Sequence, residues 1–171
     1  MSDLTELFSV NSEQALRFFA ESLREEVLPV GVTGDEFLYV ASVLAHYAQT
    51  PRYRSDSFLA DNMSDLFEQF VLGGMTNEKS LVSTNPEILE VAGSQTLLFV
   101  GFFRDQTRRR HNVAWYDRMG QLFYSEAGSR SLSRKRKEML GQIADHFPSW
   151  AVTCRNMSRT LRDNRYLLFL Q

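Results

Sequence analysis

The most constraining feature of the sequence is an unbroken apolar run, LLFVGFF, at Leu97–Phe103. Asn85 and Pro86 lie upstream and have the pattern of a helix start, a capping side chain followed by a proline at the first helical position. A helix that is apolar on every side lies at the centre of a bundle, because none of its faces favours water. The sequence therefore predicts a central helix over 85–103. The residues expected in the core are Leu98, Phe99 and Phe102.

The stretch that follows this run has two interpretations. Apolar residues recur at helical spacing from Trp115 to Ala127, which predicts a helix ending near Gly128. The alternative is a hairpin over 113–124. The run itself also suits a buried strand over 95–103. The helical interpretation is preferred, because the 3.6-residue spacing continues past the end of the supposed hairpin.

Five further segments show the same helical spacing of apolar residues, and they lie at 11–27, 33–48, 55–72, 131–147 and 148–162. A chain of 171 residues is of single-domain size, and it contains no linker long enough to divide it. We therefore predict an all-α fold, a single-domain bundle of six or seven amphipathic helices over residues 1–171. The alternative is an α+β fold with the strand at 95–103 and the hairpin at 113–124.

Two local patterns place helix ends within this bundle. Thr33 and Glu36 have the spacing of a capping box, in which each side chain accepts a hydrogen bond from the other residue's backbone N–H. Pro148 is expected to end one helix and begin the next. His146 then lies in the last turn of the first of them, where a protonated imidazole favours the negative end of the helix dipole.

The charge of the chain is divided unevenly along its length. Residues 1–103 contain 15 acidic and 5 basic side chains, whereas residues 104–171 contain 6 acidic and 14 basic ones. One interpretation is that the two halves pack together and neutralise each other. The other is that the basic half binds an anion, either nucleic acid or an acidic protein.

Two basic clusters are the candidate anion-binding or partner-binding sites. The first lies at a predicted helix junction and consists of Arg104, Arg108, Arg109 and Arg110. The second lies at or just before the first turn of a helix and consists of Arg134, Lys135, Arg136 and Lys137. Free N–H groups at that turn favour an anion. A line of arginines also follows one face of the last helix, at Arg155, Arg159 and Arg162.

Little in the sequence points to catalysis. No two histidines have the spacing of a metal site, so no metal or other cofactor is expected. Cys154 shares an apolar stripe with Trp150 and Met157, which suits a core residue better than a nucleophile. The aromatic side chains of Trp115 and Tyr116 are the candidate lining of a small-molecule pocket.

The expected compartment is the cytoplasm. A single cysteine suits a reducing environment, and the acidic start, MSDLTELF, is unlike a signal peptide. The longest apolar run is too short to span a membrane, so no membrane association is expected.

The patterns AGSQTLLFVGFFRDQTRRR and WYDRMGQLFY, at 92–110 and 115–124, resemble an uncharacterised family of small bacterial helical proteins. The shared features are the GFF block, the arginine pair after it, and a helix with spaced Tyr, Met and Gly residues. The resemblance implies a bacterial cytoplasmic protein with a common helical fold, and it implies no activity.

Three functional hypotheses follow from these features. The leading one is a non-enzymatic helical interaction or regulatory protein that docks through its basic C-terminal face or self-associates as a homodimer through the apolar tail Tyr166–Leu170. The second is a nucleic-acid-binding protein that uses the two basic clusters. The third is a small-molecule sensor or an unrecognised enzyme with an aromatic-lined pocket.

Overall fold

The computed structural model describes residues 12–49, 86–109 and 112–163. These residues are helical almost throughout and contain no strand. Five long helices are α1 (Ser12–Arg24), α2 (Gly34–Gln49), α3 (Pro86–Leu97), α5 (Val113–Ser129) and α6 (Arg134–Asp163). Between α3 and α5 lie a π-helical segment (Leu98–Phe102, the π segment) and the one-turn helix α4 (Arg104–Thr107).

The all-α prediction is confirmed, and the α+β alternative is wrong. The proposed strand at 95–103 is helical, and the proposed hairpin at 113–124 lies within α5. The described ranges hold five long helices rather than six or seven. The predicted helix over 55–72 and the tail at 166–170 lie outside the described residues.

The prediction that Pro148 separates two helices is wrong, because Pro148 lies inside α6, a single helix of 30 residues. A proline inside a helix has no N–H to donate to the carbonyl four residues earlier, which here belongs to Ala144. That carbonyl accepts instead from the side-chain amide of Gln121 on α5, at 3.3 Å. A tertiary hydrogen bond thus replaces the missing one, and the helix continues.

The core lies where α5 packs between α3 and α6, with α1 and α2 packed on each other beside them. Its largest fully buried side chains are aromatic: Trp150, Tyr124, Phe123 and Phe147. The ring of Phe147 lies directly over Gly120 of α5, so close that a Cβ at that position would be 2.1 Å from it. Only glycine allows this contact between α5 and α6.

The π segment is the central irregularity of the fold. Its hydrogen bond runs from the N–H of Phe103 to the carbonyl of Leu98, five residues earlier, at 3.0 Å. Side chains also donate hydrogen bonds to two carbonyls of this widened turn. Thr107 Oγ1 donates to the Phe99 carbonyl at 2.7 Å, and Arg104 Nη1 donates to the Val100 carbonyl at 3.1 Å.

Most of the predicted core of this central segment is confirmed. Leu98 and Phe99 are buried, while Phe102 is half-buried. The segment therefore lies inside the bundle as expected, with its last residues at the margin of the core.

Candidate anion-binding site

The second basic cluster, Arg134–Lys137, forms the first turn of α6. Ser133 caps that turn, because its hydroxyl accepts a hydrogen bond from the backbone N–H of Arg136 at 3.3 Å. The backbone carbonyl of Ser133 accepts from Lys137. A cap from the chain itself therefore occupies part of the turn at which an external anion was expected.

Three of the four charges of this cluster are paired with nearby carboxylates. Three ion pairs are formed, Arg134 with Glu138 at 3.3 Å, Lys135 with Asp35 at 3.8 Å, and Arg136 with Glu90. The carboxylates of Asp35 and Glu90 belong to α2 and α3, in the acidic half of the chain. At this end of α6, the two oppositely charged halves of the sequence do pack together.

The Arg136 pair is part of a larger polar network. The other oxygen of Glu90 accepts from the Tyr39 hydroxyl at 2.9 Å, and that hydroxyl lies 3.4 Å from the hydroxyl of Tyr124. Burial raises the pKa of both tyrosines well above the ordinary value, so the phenols stay neutral at physiological pH. The network joins α2, α3, α5 and α6 and has a structural role.

The buried carboxylate of Glu36 links α2 to the middle of α6 by hydrogen bonds. Thr33 Oγ1 accepts from the Glu36 N–H at 3.3 Å, as the capping box predicts, but the Glu36 carboxylate faces the core. Its Oε1 accepts from Trp150 Nε1 at 2.7 Å and is hydrogen-bonded to His146 Nδ1 at 2.6 Å. His146 is consequently a mid-helix residue, and its prediction as a helix-end residue is wrong.

The pairing of a buried carboxylate with a histidine also occurs in general bases. Such a base acts on a nucleophile within hydrogen-bonding reach. In the part of the chain that the structure describes, the His146 imidazole forms no hydrogen bond with a hydroxyl or a thiol. The two hydrogen bonds of Glu36 hold α2 against α6.

The other end of α6 lies against the π segment and α4. Gly101 allows a close approach, since a Cβ there would lie 3.1 Å from the Cβ of Cys154. Four residues after Gly101, the Asp105 carboxylate forms a bidentate ion pair with the Arg159 guanidinium, with both N–O distances at 2.8 Å. This contact fixes α4 over the C-terminal third of α6.

Arg155 and Asp117 are the described charged residues at this end that each have a buried side-chain atom without a hydrogen-bond partner. In Arg155 that atom is Nε. Burial lowers the pKa of Arg155, and the nearby charges of Arg159, Arg104 and Arg108 lower it further, while Asp105 opposes them. Three other guanidinium groups thus lie near Arg155, whose Nε donor has no partner among the described residues.

Arg104 adds a half-buried ion pair to this group. Its Nη2 lies 3.5 Å from Asp117 Oδ2, and both side chains are largely shielded from solvent. Burial raises the pKa of Asp117, although Arg104 partly offsets the shift. We name the four guanidinium groups the arginine cluster: Arg104, Arg108, Arg155 and Arg159.

The arginine cluster combines residues that the sequence placed in separate groups. Arg104 and Arg108 come from the first predicted cluster, and Arg155 and Arg159 come from the line along the last helix. Arg109 is exposed, whereas Arg110 and the side chain of Arg162 lie outside the described residues. Sequence reasoning did not link the two groups, because the link depends on how the π segment packs against α6.

The aromatic pair proposed as a pocket lies near the start of α5. The Trp115 and Tyr116 rings meet edge to face at 5.1 Å, and Tyr116 meets Phe99 in the same way at 5.2 Å. Trp115 is 39% exposed. Neither ring lines the cavity of about 270 Å³ between α1, α2 and the π segment, whose walls include Phe19, Leu44 and Phe102.

Three further findings concern the thiol of Cys154, metal-binding side chains and membrane-spanning helices. Burial raises the pKa of Cys154 to about 12, so its thiol is inert at neutral pH. No group of three His, Cys, Asp or Glu side chains within residues 12–49, 86–109 and 112–163 lies in a metal-binding arrangement. No helix in these ranges has the length and apolar character needed to cross a membrane.

Comparisons with known proteins found no family model, no curated protein and no solved structure that matches this chain. The resemblance to a family of bacterial helical proteins therefore gains no support from them. Any function has to be inferred from the residues and their geometry.

Proposed function

We propose that this protein is a non-enzymatic helical docking protein that binds an acidic partner protein through the arginine cluster. The observation that supports the proposal most directly is the buried Nε of Arg155, which has no partner among the described residues. A buried donor on a charged group costs free energy unless it is hydrogen-bonded. The Nε atom itself is too buried for a partner to reach, so an incoming anion would act on the charge of this guanidinium and of its neighbours.

The accessibility of the site supports the same proposal. Arg108 is exposed, and the Arg159 side chain is 47% exposed although it is paired with Asp105. An incoming anion can therefore reach the cluster from solvent. Arginine suits this role, because its planar fork of donors matches the two oxygens of a carboxylate.

An acidic protein fits the charge distribution better than nucleic acid does. A nucleic-acid interface neutralises several phosphates along a track and uses exposed aromatic rings where the strand is single. The only other basic cluster among the described residues, Arg134–Lys137, already has three ion pairs. The cytoplasmic location, the bacterial origin and the homodimer formed through 166–170 stay predictions that accompany this proposal.

The proposal is tested by titrating the protein with an oligoglutamate peptide at low ionic strength, using isothermal calorimetry. Arg155→Gln should weaken binding by about 10- to 100-fold, the equivalent of one hydrogen bond to a charged group. Arg134→Gln is the matched control at the other end of α6 and should change the affinity less than about twofold. Equal losses in the two variants, or tighter binding of a DNA oligonucleotide of the same charge, would contradict the proposal.

A further inference from the structure

The cavity of about 270 Å³ between α1, α2 and the π segment is lined by apolar and aromatic side chains. The seven described residues that line it are Phe19, Leu44, Tyr47, Ala48, Leu98, Phe102 and Phe103. None of these seven side chains is charged, and the Tyr47 hydroxyl is hydrogen-bonded to Ser94 Oγ at 2.9 Å. The walls therefore offer a ligand apolar surface and aromatic rings, and no charge to pair with its own.

The π segment forms one wall of this cavity. In an α-helix, the residue that donates to the Leu98 carbonyl would be Phe102, four residues later. Here Phe103 donates instead, at 3.0 Å, and this widened turn places both phenylalanines against the cavity together with Leu98. The two phenylalanine rings meet edge to face at 5.1 Å. Because π-helical turns are rare and often occur at functional sites, a cavity built by one is a candidate binding site.

We propose that this cavity binds a small, neutral aromatic molecule of one or two fused rings. The volume sets the size of the ligand, because a cavity of about 150 Å³ holds benzene and pockets for drug-sized ligands begin at about 300 Å³. The four aromatic rings of the lining favour an aromatic ligand, since ring-to-ring contacts add to the burial of apolar area. A charged ligand would lose its hydration and gain no partner among the lining residues.

The burial of the lining residues indicates how a ligand would enter. Ala48 is exposed at the end of α2, and Phe102 and Phe103 are half-buried, whereas Leu44 and Leu98 are buried. The mouth of the cavity therefore lies on the side of Ala48, and the two leucines form the inner wall. None of the seven lining residues belongs to the arginine cluster, so this inference is independent of the proposed function.

The test follows the leucine methyl signals of ¹³C-labelled protein by NMR during a titration with naphthalene. The ring current of a bound aromatic probe shifts the signals of methyl groups next to it. We expect shifts at Leu44 and Leu98 and none at Leu140, which is buried where α6 packs on α5. Naphthalene-1-sulfonate has the same rings and a negative charge, and it should bind at least about tenfold more weakly.

Two variants and a matched control locate the binding site. Ala48→Phe places a ring in the mouth of the cavity and should weaken naphthalene binding by about tenfold or more. Ala114→Phe makes the same change at an exposed alanine of α5 and should leave the affinity unchanged. Phe102→Leu keeps an apolar wall and removes one ring, so naphthalene affinity should fall about two- to tenfold. Affinity for decalin, the saturated counterpart, should change little in this variant. Backbone amide spectra verify that each variant is folded.

Several outcomes would overturn the inference. Leu44 and Leu98 signals that stay unchanged up to the solubility limit of naphthalene would mean that the cavity is filled or closed in solution. Equally tight binding of the sulfonate, equal shifts at Leu140, or undiminished binding by Ala48→Phe would mean that the probe binds elsewhere. Decalin that binds as tightly as naphthalene would overturn the preference for an aromatic ligand. Shifts confined to the two leucines, lost in Ala48→Phe and kept in Ala114→Phe, would support the inference.

Discussion

The two ends of α6 have similar residues and opposite electrostatic situations. At its start, Arg136 and its neighbours face carboxylates from α2 and α3. About 30 Å further along, at 1.5 Å per residue, Arg155 faces other arginines. A basic cluster therefore indicates a binding surface only when the elements packed against it do not supply enough carboxylates to pair with its charges.

The origin of the difference lies in what each end packs against. The first turn of α6 lies beside the acidic half of the chain, which supplies Asp35 and Glu90. The other end lies beside α4, whose first residue is itself an arginine and whose one acidic residue, Asp105, already binds Arg159. Most charges at one end are thus paired within the chain, whereas Arg155 at the other end lies near like charges.

The largest expected effect is at the buried Glu36 carboxylate, between the two ends of α6. Glu36→Ala should lower the free energy of unfolding by roughly 3–5 kcal/mol, because the change leaves His146 and Trp150 without their shared acceptor. Urea denaturation measures this loss. Glu36→Gln keeps an acceptor of the same shape and should cost only about 1–2 kcal/mol. An alanine variant that loses less than about 1 kcal/mol would show that the carboxylate is solvated.

A smaller effect is expected for the matched cluster itself. Arg136→Gln should destabilise the fold by about 1 kcal/mol, because Glu90 loses its ion pair while keeping its bond from Tyr39. The loss should shrink as salt is added. A control substitution at exposed Lys137 should have little effect. Equal losses at the two positions would mean that the pair with Glu90 contributes nothing.

The smallest effect, with the opposite sign, is expected at the unmatched end. Arg155→Met should raise the free energy of unfolding by about 0.5 kcal/mol at low ionic strength, because it relieves repulsion from Arg159 one turn away. Salt should reduce this gain as well. Chemical denaturation at two salt concentrations measures it. A loss of stability in the methionine variant would mean that Arg155 has a counterion within the chain, and the two ends would then no longer differ.

Most of the helical framework could be predicted from the sequence, because helical spacing and helix-start signals are local. The start of α3 at Pro86 and the helical nature of α5 followed from such patterns. The continuity of α6 did not, since Pro148 is tolerated only because Gln121 reaches the Ala144 carbonyl. That hydrogen bond joins two helices and has no signature within either one.

The candidate site was predictable only in part, for the same physical reason. The arginines could be named as two separate groups, but their convergence required knowing which elements pack together. Glu36 is a second example of a residue whose tertiary contacts could not be predicted from its local sequence pattern. Its spacing from Thr33 predicted a capping role, and tertiary burial directed its carboxylate to His146 and Trp150 instead.

The π segment determines how the residues after it are rotated around the helix axis relative to the residues before it. Compared with an α-helical turn, it contains one additional residue, and one residue corresponds to about 100° of rotation around a helix axis. Deleting a single residue between 98 and 102 would restore an ordinary helix and turn everything after it by that angle. Asp105 would then point away from Arg159 with no change in its own identity. The proposed docking surface therefore depends on the residue count of this segment as much as on the arginines themselves.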